Sequence, residues 1–491
     1  MAASALAWTA VLGYAALTLA LAIRGARATT SLKSFAVGNG DIHPALLGLS
    51  LVAQLTSVAT FVINPGLVFH SGVSGLLGYG VAAAAGITLG LVVFTARFRA
   101  MGAKVAALTV PSWIGKRYDS DLLRGLFALL SLGLVAFAVL IVVALSYVLS
   151  NLLGVAPAVL ALTLTAFVVG SVLIGGANGH ALTNAVQAVV MLIVAVILIG
   201  AGLPLFFEGD GLGALLAAQD PRLLTLTNPG SLYFRNLFEV FGCNFVVGLA
   251  VVCQPHIVGK ALGLRRDDQV RTFLGVAMLA GLVFLGVLLV GLYARAVVPL
   301  DTRIDLVVPT WIGATFSSPM QVLISIGMLC AGLSTLEGIL LALSGIFALD
   351  VHPLLPGTRD PARALRFGKL GLVAMGVLTV ALAMRQIADP VGGSVAIFAQ
   401  YGVYLLFTAS FLPLACGMFL PGVSRAAVTV ASLAAIGGYL GASVFGLTML
   451  SSNPAFLATV GIACGWTAVG LALLARRLSG AVADPEPIRA R

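Results

Sequence analysis

Polar side chains cluster in a few of the long apolar stretches of this 491-residue sequence. In one stretch, Ala331, Ser334 and Thr335 stand at positions i, i+3 and i+4, so a helix places them on one face. A backbone carbonyl and two hydroxyls are hard oxygen ligands, which suit a small alkali cation and leave its single charge uncancelled. The spacing therefore predicts part of a Na⁺ site.

A second cluster lies in the stretch Leu51–Phe69. Its polar members are Gln54, Thr56, Ser57, Thr60 and Asn64, and Pro65-Gly66 follows them. This pattern favours a helix that is interrupted in the middle of a membrane, where freed carbonyls and hydroxyls face a cavity. The alternative is an ordinary packing helix whose hydroxyls bond to their own backbone. If the helix is interrupted, the two clusters could enclose Na⁺ between them.

A third group of polar residues includes Asn244 and the run Gln254-Pro255-His256. Proline lacks an N–H group and clashes with the preceding turn, so we expect a second interrupted helix here. His256 either caps carbonyls or contacts a substrate or a proton. Two acids lie within apolar stretches. Glu239 is close enough to a boundary to reach water, whereas Glu337 is deeper and must be paired, hydrated or protonated.

The composition explains why such polar clusters are informative. Hydrophobic residues make up 60% of the sequence and charged residues 9%, whereas a soluble domain carries about 25% charged residues. The surface must therefore face lipid. The net charge of +10 does not indicate nucleic-acid binding, because the basic residues lie in short loops. The five cysteines show no CxxC spacing and predict neither disulfides nor a zinc site.

Windows of about 20 apolar residues predict an all-α polytopic membrane protein with thirteen spans. The predicted spans are 4–23, 43–69, 72–96, 122–149, 156–174, 181–206, 236–258, 272–298, 309–347, 368–386, 391–418, 424–447 and 455–475. The first is expected to be a retained span rather than a signal peptide, because no basic region precedes it. In the long stretch 309–347, residues 309–320 could form an interfacial segment that leads into the span.

The basic residues predict the orientation of these spans. A cytoplasmic C-terminus places 22 of the 27 Lys and Arg residues inside and the other 5 outside. We therefore expect an outside N-terminus and a location in the inner cell membrane. No soluble output domain is expected, which disfavours a membrane receptor. The polar clusters are discontinuous, which disfavours a channel.

Five local motifs, in order along residues 40–350, resemble those of the sodium:solute symporter family, which includes proline, pantothenate, monocarboxylate, sialic acid and sugar transporters. The motifs read LSLVAQLTSVATFVINPG, TVPSWIGKRYDS, GGANGHALTNAVQAVVM, QPHIVGK and AGLSTLEGILL. The resemblance implies the inverted-repeat fold of the bacterial leucine transporter, with a core of five plus five helices. The corresponding units are 1–42 (an extra span and a cytoplasmic loop), 43–206 (first repeat), 207–235 (extracellular loop), 236–418 (second repeat) and 419–491 (two peripheral spans and a tail).

The resemblance also implies functional residues. The family's sodium site would comprise the carbonyls of Ala53, Thr56 and Ala331 with the hydroxyls of Ser334 and Thr335. The residues expected around the solute are Gln54, Ser57, Tyr147, Asn244, Val247, Val251, Gln400 and Tyr404. The residues expected in coupling and gating are Asn184, Gln254, Pro255 and Glu337.

Several positions depart from the family pattern. Asn184 replaces a frequent aspartate, and Leu55 replaces the aspartate of proline transporters. Val247 and Val251 replace aromatic residues that contact the substrate in proline transporters. Glu337 stands where many relatives have a small neutral residue. Our hypothesis is that Glu337 restores some of the lost negative charge, by tuning cation affinity or by carrying a proton.

The sequence thus predicts a Na⁺-coupled symporter for a small organic solute, with no catalysed reaction and no organic cofactor. A carboxylate-bearing metabolite, such as a monocarboxylate or a pantothenate-like compound, is the first expectation. An amino acid is the second, because QPHIVGK resembles proline-type members. H⁺ coupling through Glu337 is a third hypothesis, and a transporter-like receptor or channel is a fourth. The expected partners are the solute and the lipid bilayer, with no nucleic acid, and the chain could be monomeric.

Overall fold

A computed structural model describes residues 2–38, 43–355, 360–391, 394–420, 422–446 and 449–478. All of the regular elements in these ranges are helices. The α-helices are α1 (Ala2–Ala26), α2 (Leu32–Val37), α3 (Pro44–Leu55), α4 (Asn64–Ser71), α5 (Val73–Leu76), α6 (Ala84–Lys104), α7 (Val110–Arg117), α8 (Asp121–Leu130), α9 (Leu134–Leu153), α10 (Pro157–Ala201), α11 (Gly211–Gln219), α12 (Asn244–Val251), α13 (Pro255–Val258), α14 (Gln269–Gly286), α15 (Val290–Ala294), α16 (Ile304–Thr315), α17 (Ser318–Ile346), α18 (Pro361–Ala388), α19 (Val395–Phe419), α20 (Arg425–Phe445) and α21 (Pro454–Leu478).

Short tighter or wider helical turns join several of these helices. The π-helical turns are Ala59–Ile63, Leu77–Ala83, Phe238–Cys243 and Phe347–Val351. The 3₁₀ turns are Ser131–Gly133, Leu203–Phe206, Pro221–Leu224, Gly259–Gly263, Val287–Leu289, His352–Leu354 and Met449–Ser452. The predicted all-α membrane fold is confirmed.

The described residues contain ten helices that are long and apolar enough to cross a membrane, or up to twelve if each of two bent pairs is one span. α10 is 45 residues long and is interrupted at Gly176, whose backbone angles are φ 55° and ψ −153°. The predicted spans 156–174 and 181–206 lie on the two sides of this kink. The count of thirteen stays a prediction.

Two of the spans are bent near their middle. The first joins Pro44–Leu55 to Ala59–Ser71 at 51°, and the second joins Phe238–Val251 to Pro255–Gly263 at 52°. At the first bend, Thr56 leaves helical geometry, and Ser57 Oγ accepts a hydrogen bond of 3.1 Å from the Ala59 N–H. At the second, Gln254 is extended, as expected for a residue before proline. Both predicted interruptions are present.

The helix α17 lies at the centre of the bundle, and α1 lies at its periphery. In an apolar 18-residue segment of the span Ser318–Leu354, which contains α17, 89% of the residues are buried. In the corresponding segment of α1, 22% are buried. The stretch 309–347 forms two elements, because α16 ends at Thr315 and α17 begins at Ser318. The oxygen ligands predicted in α17 therefore lie in the interior of the protein rather than against lipid.

The helix α1 packs against both sides of the kink in α10. Just after the end of α1, the Thr29 hydroxyl donates a hydrogen bond of 3.3 Å to the Gly175 carbonyl, and within α1 Tyr14 Oη accepts one of 2.8 Å from the Gln187 amide. A Cβ atom on Gly25 would overlap the backbone of Gly179, so the two helices approach closely there. Small residues permit this approach within a membrane.

The two ends of the bundle carry different ion pairs. At the end that we name the basic end, Arg99 pairs with Asp267, and Arg124 pairs with the buried Asp350 at 3.0 Å. At the opposite end, Arg235 pairs with the buried Glu239 at 2.6 Å. Glu239 thus has a structural partner. The expectation that Glu239 reaches water is wrong, because its side chain is completely buried and also accepts a hydrogen bond of 2.9 Å from Asn453.

Candidate ion and solute site

Four oxygen atoms from two helices meet at the first bend, and all four belong to predicted Na⁺ ligands. Ser334 Oγ lies 3.1 Å from the Ala53 carbonyl oxygen and 2.9 Å from that of Ala331. Thr335 Oγ1 lies 3.5 Å and 3.3 Å from the same two carbonyl oxygens. These four residues are completely buried. Hard oxygen atoms at this spacing can share one small cation.

The remaining predicted ligand, Thr56, lies at the bend itself. Its backbone angles, φ −97° and ψ 70°, end α3 and turn the chain away from the helix axis. The Thr335 hydroxyl also lies 3.2 Å from the Gln54 carbonyl oxygen. The end of α3 therefore presents successive carbonyls to α17, which is the geometry that an interrupted helix supplies for a cation.

A cavity of about 170 Å³ lies next to these oxygens, between the two bent helices and α19. Seven of the eight residues predicted around the solute line it: Gln54, Ser57, Asn244, Val247, Val251, Gln400 and Tyr404. The predicted gating residue Gln254 lines it as well. The structure does not bring Tyr147 to this cavity. The Arg303 guanidinium lies over the Tyr147 ring, with Cζ 5.8 Å from the ring centroid. This contact is toward the end of the bundle that is opposite to the basic end.

The polar groups of this cavity are amides, hydroxyls and one imidazole. Gln400 Nε2 lies 3.4 Å from Tyr79 Oη, and Asn244 Nδ2 donates a hydrogen bond of 2.7 Å to the Glu239 carbonyl. Among the described residues that line the cavity, none is charged at neutral pH if His256 is neutral. A solute there would meet both hydrogen-bonding groups and the valines of α12, whose lining face also carries Asn244.

Glu337 lies behind the ion ligands in a buried polar network. Its Oε2 atom accepts a hydrogen bond of 2.9 Å from Thr183 and lies 3.1 Å from His180 Nδ1. On the other side of the imidazole, Nε2 lies 2.7 Å from Gln54 Nε2. Because the amide can only donate there, His180 Nε2 accepts, and Nδ1–H donates to Glu337. Glu337 Oε1 has no partner among the described residues.

The network continues from His180 toward the basic end. Asn184 Nδ2 lies 3.2 Å from His180 Nε2 and donates a hydrogen bond of 2.8 Å to Ser50 Oγ. Lys260 Nζ donates one of 2.6 Å to the same Ser50 oxygen. Asn184, which replaces the family's aspartate, thus joins α10 to α3, and Lys260 joins the second bent helix to the first. The predicted gating residue Pro255 lines a cavity at this end.

The family model of the sodium:solute symporter family matches residues 35–438. The chain belongs to this family. The resemblance seen in the sequence motifs is therefore confirmed, and the protein is a membrane transporter rather than an enzyme.

Individual relatives of this symporter are distant. A sodium/pantothenate symporter of Haemophilus influenzae is 26% identical over 328 residues, which cover 65% of this chain and 66% of the relative. A solved structure of a Na⁺-coupled sialic acid symporter, substrate-bound and outward-open, has a TM-score of 0.75 and 18% identity, covering 96% of this chain and 98% of its own. The nucleobase-cation-symport-1 family transporter Mhp1, closed with bromovinylhydantoin bound, has a TM-score of 0.54 and 15% identity, covering 94% and 97%. Both structures share the fold of this symporter.

Three residues of the site were missed from the sequence. His180 falls just before the predicted span 181–206, and no functional role is predicted for it. Lys260 was counted only as a basic residue near a membrane boundary. Tyr79 lies in the predicted span 72–96, where an aromatic residue is unremarkable. The histidine in GGANGHALTNAVQ was the one available signal, because a histidine between two apolar stretches can lie inside the bundle.

Proposed function

We propose that this protein is a Na⁺-coupled symporter that moves a small organic solute by alternating access. The observation that carries the proposal is the convergence of the Ala53 and Ala331 carbonyls with the Ser334 and Thr335 hydroxyls at the first bend. A cation held there would tie the interrupted helix to α17. The ion ligands are neutral, so the bound ion keeps its charge and responds to the membrane potential, with about 2.3 kcal/mol per charge per 100 mV.

Gln54 provides a route by which the ion and the solute can act together. Its carbonyl oxygen lies beside the Thr335 hydroxyl, while its side chain lines the solute cavity. An ion that orders the end of α3 would also order this side chain, and a solute would then bind to a more complete cavity. By linkage, the solute would raise Na⁺ affinity by the same factor.

A small carboxylate-bearing metabolite, such as a monocarboxylate or a pantothenate-like compound, is the proposed solute. The distant sodium/pantothenate symporter supports this choice. The lining of the cavity also supports it, because Asp and Glu are absent from the described residues that line it and an amino acid would bring an ammonium group. The valines of α12 favour an apolar body on the solute over a sugar.

We further infer that the basic end faces the cytoplasm of the cell and that the membrane is the inner membrane. This orientation is supported by the general enrichment of Lys and Arg residues in the cytoplasmic loops of membrane proteins. In this arrangement Gln254 lines the solute cavity, and Pro255 and Asn184 lie on its cytoplasmic side. The proposed role of these three residues is to open and close the inner side of the path.

The proposal is tested by uptake into proteoliposomes that contain the purified protein. Labelled lactate, pyruvate, propionate and pantothenate are offered with an inward Na⁺ gradient, with equal Na⁺ on both sides, and with a H⁺ gradient in Na⁺-free buffer. We expect accumulation of a carboxylate that requires the Na⁺ gradient and saturates with concentration. Accumulation driven by H⁺ without Na⁺ would contradict Na⁺ coupling, and flux that never saturates would indicate a channel.

A further inference from the structure

A second cavity, of about 120 Å³, lies at the basic end of the bundle. One helical face of the segment Pro255–Gly263 forms part of its wall, with His256, Gly259, Lys260 and Gly263 at positions i, i+3, i+4 and i+7. Across the cavity lie Ser50 and Gln54 of the first bent helix. This cavity and the solute cavity share two lining residues, Gln54 and His256. The two cavities are thus neighbours along one path.

The two glycines of this face leave space in front of the two polar side chains. A Cβ atom on Gly259 would have no heavy atom within 4 Å, and one on Gly263 would meet only a Leu47 methyl group at 3.6 Å. The backbone at Gly259 is helical (φ −58°, ψ −27°), so its geometry does not require glycine. A larger residue would instead extend into the cavity.

The polar side chains of this face have unused hydrogen-bonding capacity. His256 is 5% exposed, and neither of its ring nitrogens has a hydrogen-bond partner among the described residues. Lys260 is half-buried and donates to the Ser50 hydroxyl, and it takes part in none of the ion pairs found in the described part of the chain. A lysine held this close to a membrane interior favours an anion as its partner.

We propose that the basic-end cavity is a second binding station for the transported solute and that Lys260 and His256 bind its carboxylate group. This inference rests on the proposed symport function. The solute cavity has no cationic side chain, so a carboxylate there has only the coupling ion as its positive partner. Lys260 is the one cationic side chain among the described residues that line the second cavity. A monoanion that leaves the first cavity therefore passes His256 and meets Lys260 before it reaches water.

Direct binding can be measured without any transport. The five lysines of the wild-type protein are reductively methylated with ¹³C-formaldehyde, and the Lys260 resonance is assigned by its loss in Lys260→Arg. Lactate, propionate and pantothenate are then added, each beside its neutral counterpart lactamide, propionamide or pantothenol. We expect at least one acid to shift the Lys260 resonance in a saturable manner, while the neutral compounds do not. The absence of a shift with all three acids, or equal shifts with the neutral compounds, overturns the inference.

Transport provides the second arm. Lys260→Met should lower the maximal rate of carboxylate uptake by about tenfold, because a charge-assisted hydrogen bond is lost. The maximal uptake rate of Lys260→Arg should remain within about twofold of the wild-type rate. In both variants, the Na⁺ concentration for half-maximal activation should also remain within about twofold of the wild-type value. Lys116→Met is the matched control, because Lys116 lies at the same end and donates to the Ala106 carbonyl at 2.7 Å without lining the cavity.

A third variant separates anion binding from the contact between Lys260 and Ser50. Gly259→Leu fills the cavity and leaves Lys260 in place, and it should slow carboxylate uptake as Lys260→Met does. If Lys260→Arg is as impaired as Lys260→Met while Gly259→Leu is normal, Lys260 only holds Ser50 and the inference is wrong. If wild-type uptake shows no Na⁺ dependence, the proposed symport fails, whereas the resonance experiment still decides the anion site.

Discussion

The two bent helices have almost the same angle, 51° and 52°, and present different chemistry at the bend. At the first bend, the carbonyl of Ala53 faces two hydroxyls of α17 in a fully buried setting. At the second, Pro255 begins a short helical segment that carries His256 and Lys260 along a cavity wall. The backbone is thus interrupted near the middle of two spans. Under the proposals made above, the side chains around each bend decide whether it binds a bare cation or an organic anion.

This contrast also explains the distribution of charge. Hydroxyls and carbonyls leave the charge of a cation uncancelled, so the first bend needs no acid in direct contact. Glu337, two residues after the ligand Thr335, instead accepts a hydrogen bond from Thr183 and contacts His180. The second bend carries a cationic side chain, which an anionic solute can neutralise.

The largest effect is expected from removal of both hydroxyls at the first bend. Ser334→Ala with Thr335→Ala should raise the Na⁺ concentration for half-maximal uptake by about 100-fold or more, since two ligands of about 1.5 kcal/mol each are lost. Ser344→Ala is the control, because this buried hydroxyl of the same helix bonds to the Gly368 carbonyl at 2.9 Å. Unchanged Na⁺ activation in the double variant would refute the ion site.

A steric block at the second bent helix should act on the solute alone. Val247→Phe extends into the solute cavity and should weaken solute affinity by about 30-fold, as overpacking costs 1–3 kcal/mol. The Na⁺-dependent rise in melting temperature, measured without solute, should persist. The neighbouring Val246→Phe, which does not line the cavity, serves as the control. Loss of Na⁺ stabilisation in Val247→Phe but not in Val246→Phe would contradict the prediction that this residue acts on the solute and not on the ion.

Gly338 offers a variant that should disturb both sites together. A Cβ atom there would overlap the Gln54 amide, which touches both cavities and follows Ala53. Gly338→Ala should therefore weaken solute and Na⁺ affinity by about tenfold each. Gly275→Ala is the control, because a Cβ atom there would have no heavy atom within 4 Å and Gly275 lines neither cavity. An effect on solute affinity alone would show that Gln54 does not couple the sites.

The smallest effect is expected from the buried carboxylate of α17. Glu337→Gln keeps the shape of the side chain and removes a negative charge near the ion, so the Na⁺ concentration for half-maximal uptake should rise by about fivefold. Glu239→Gln removes an equally buried carboxylate at the opposite end, where its partner is Arg235. It should lower the melting temperature and leave Na⁺ activation unchanged. Equal Na⁺ activation in wild type and Glu337→Gln would remove Glu337 from ion coupling.

Much of this arrangement could be predicted from patterns within single helices. The i, i+3, i+4 spacing placed Ala331, Ser334 and Thr335 on one face, and the polar clusters with proline located both bends. Contacts between helices could not be predicted in this way. His180 reaches Glu337, 157 residues later, only because the kink at Gly176 directs the second half of α10 toward α17.

Tyr147 is an example of a contact that was predicted from the sequence and is absent from the structure. It was expected at the solute cavity, but its place in α9 brings it to the end of the bundle that holds Arg303. Spacing along one helix specifies a face, while the depth of a residue in the membrane and its neighbours depend on how the helices pack. For the same reason, the contact between Lys260 and Ser50 could not be predicted.

The packing of α1 against α10 has a consequence for how the protein is made. The hydrogen bond between Thr29 and Gly175 joins residues 146 positions apart, and that between Tyr14 and Gln187 joins residues 173 apart. A ribosome that adds about 5–20 residues per second exposes α1 to lipid for roughly 10–30 s before its partner exists. During that interval α1 must persist without α10. The Thr9 hydroxyl donates a hydrogen bond of 2.8 Å to the Ala5 carbonyl of the same helix. It therefore needs no partner from another helix before α10 is synthesised.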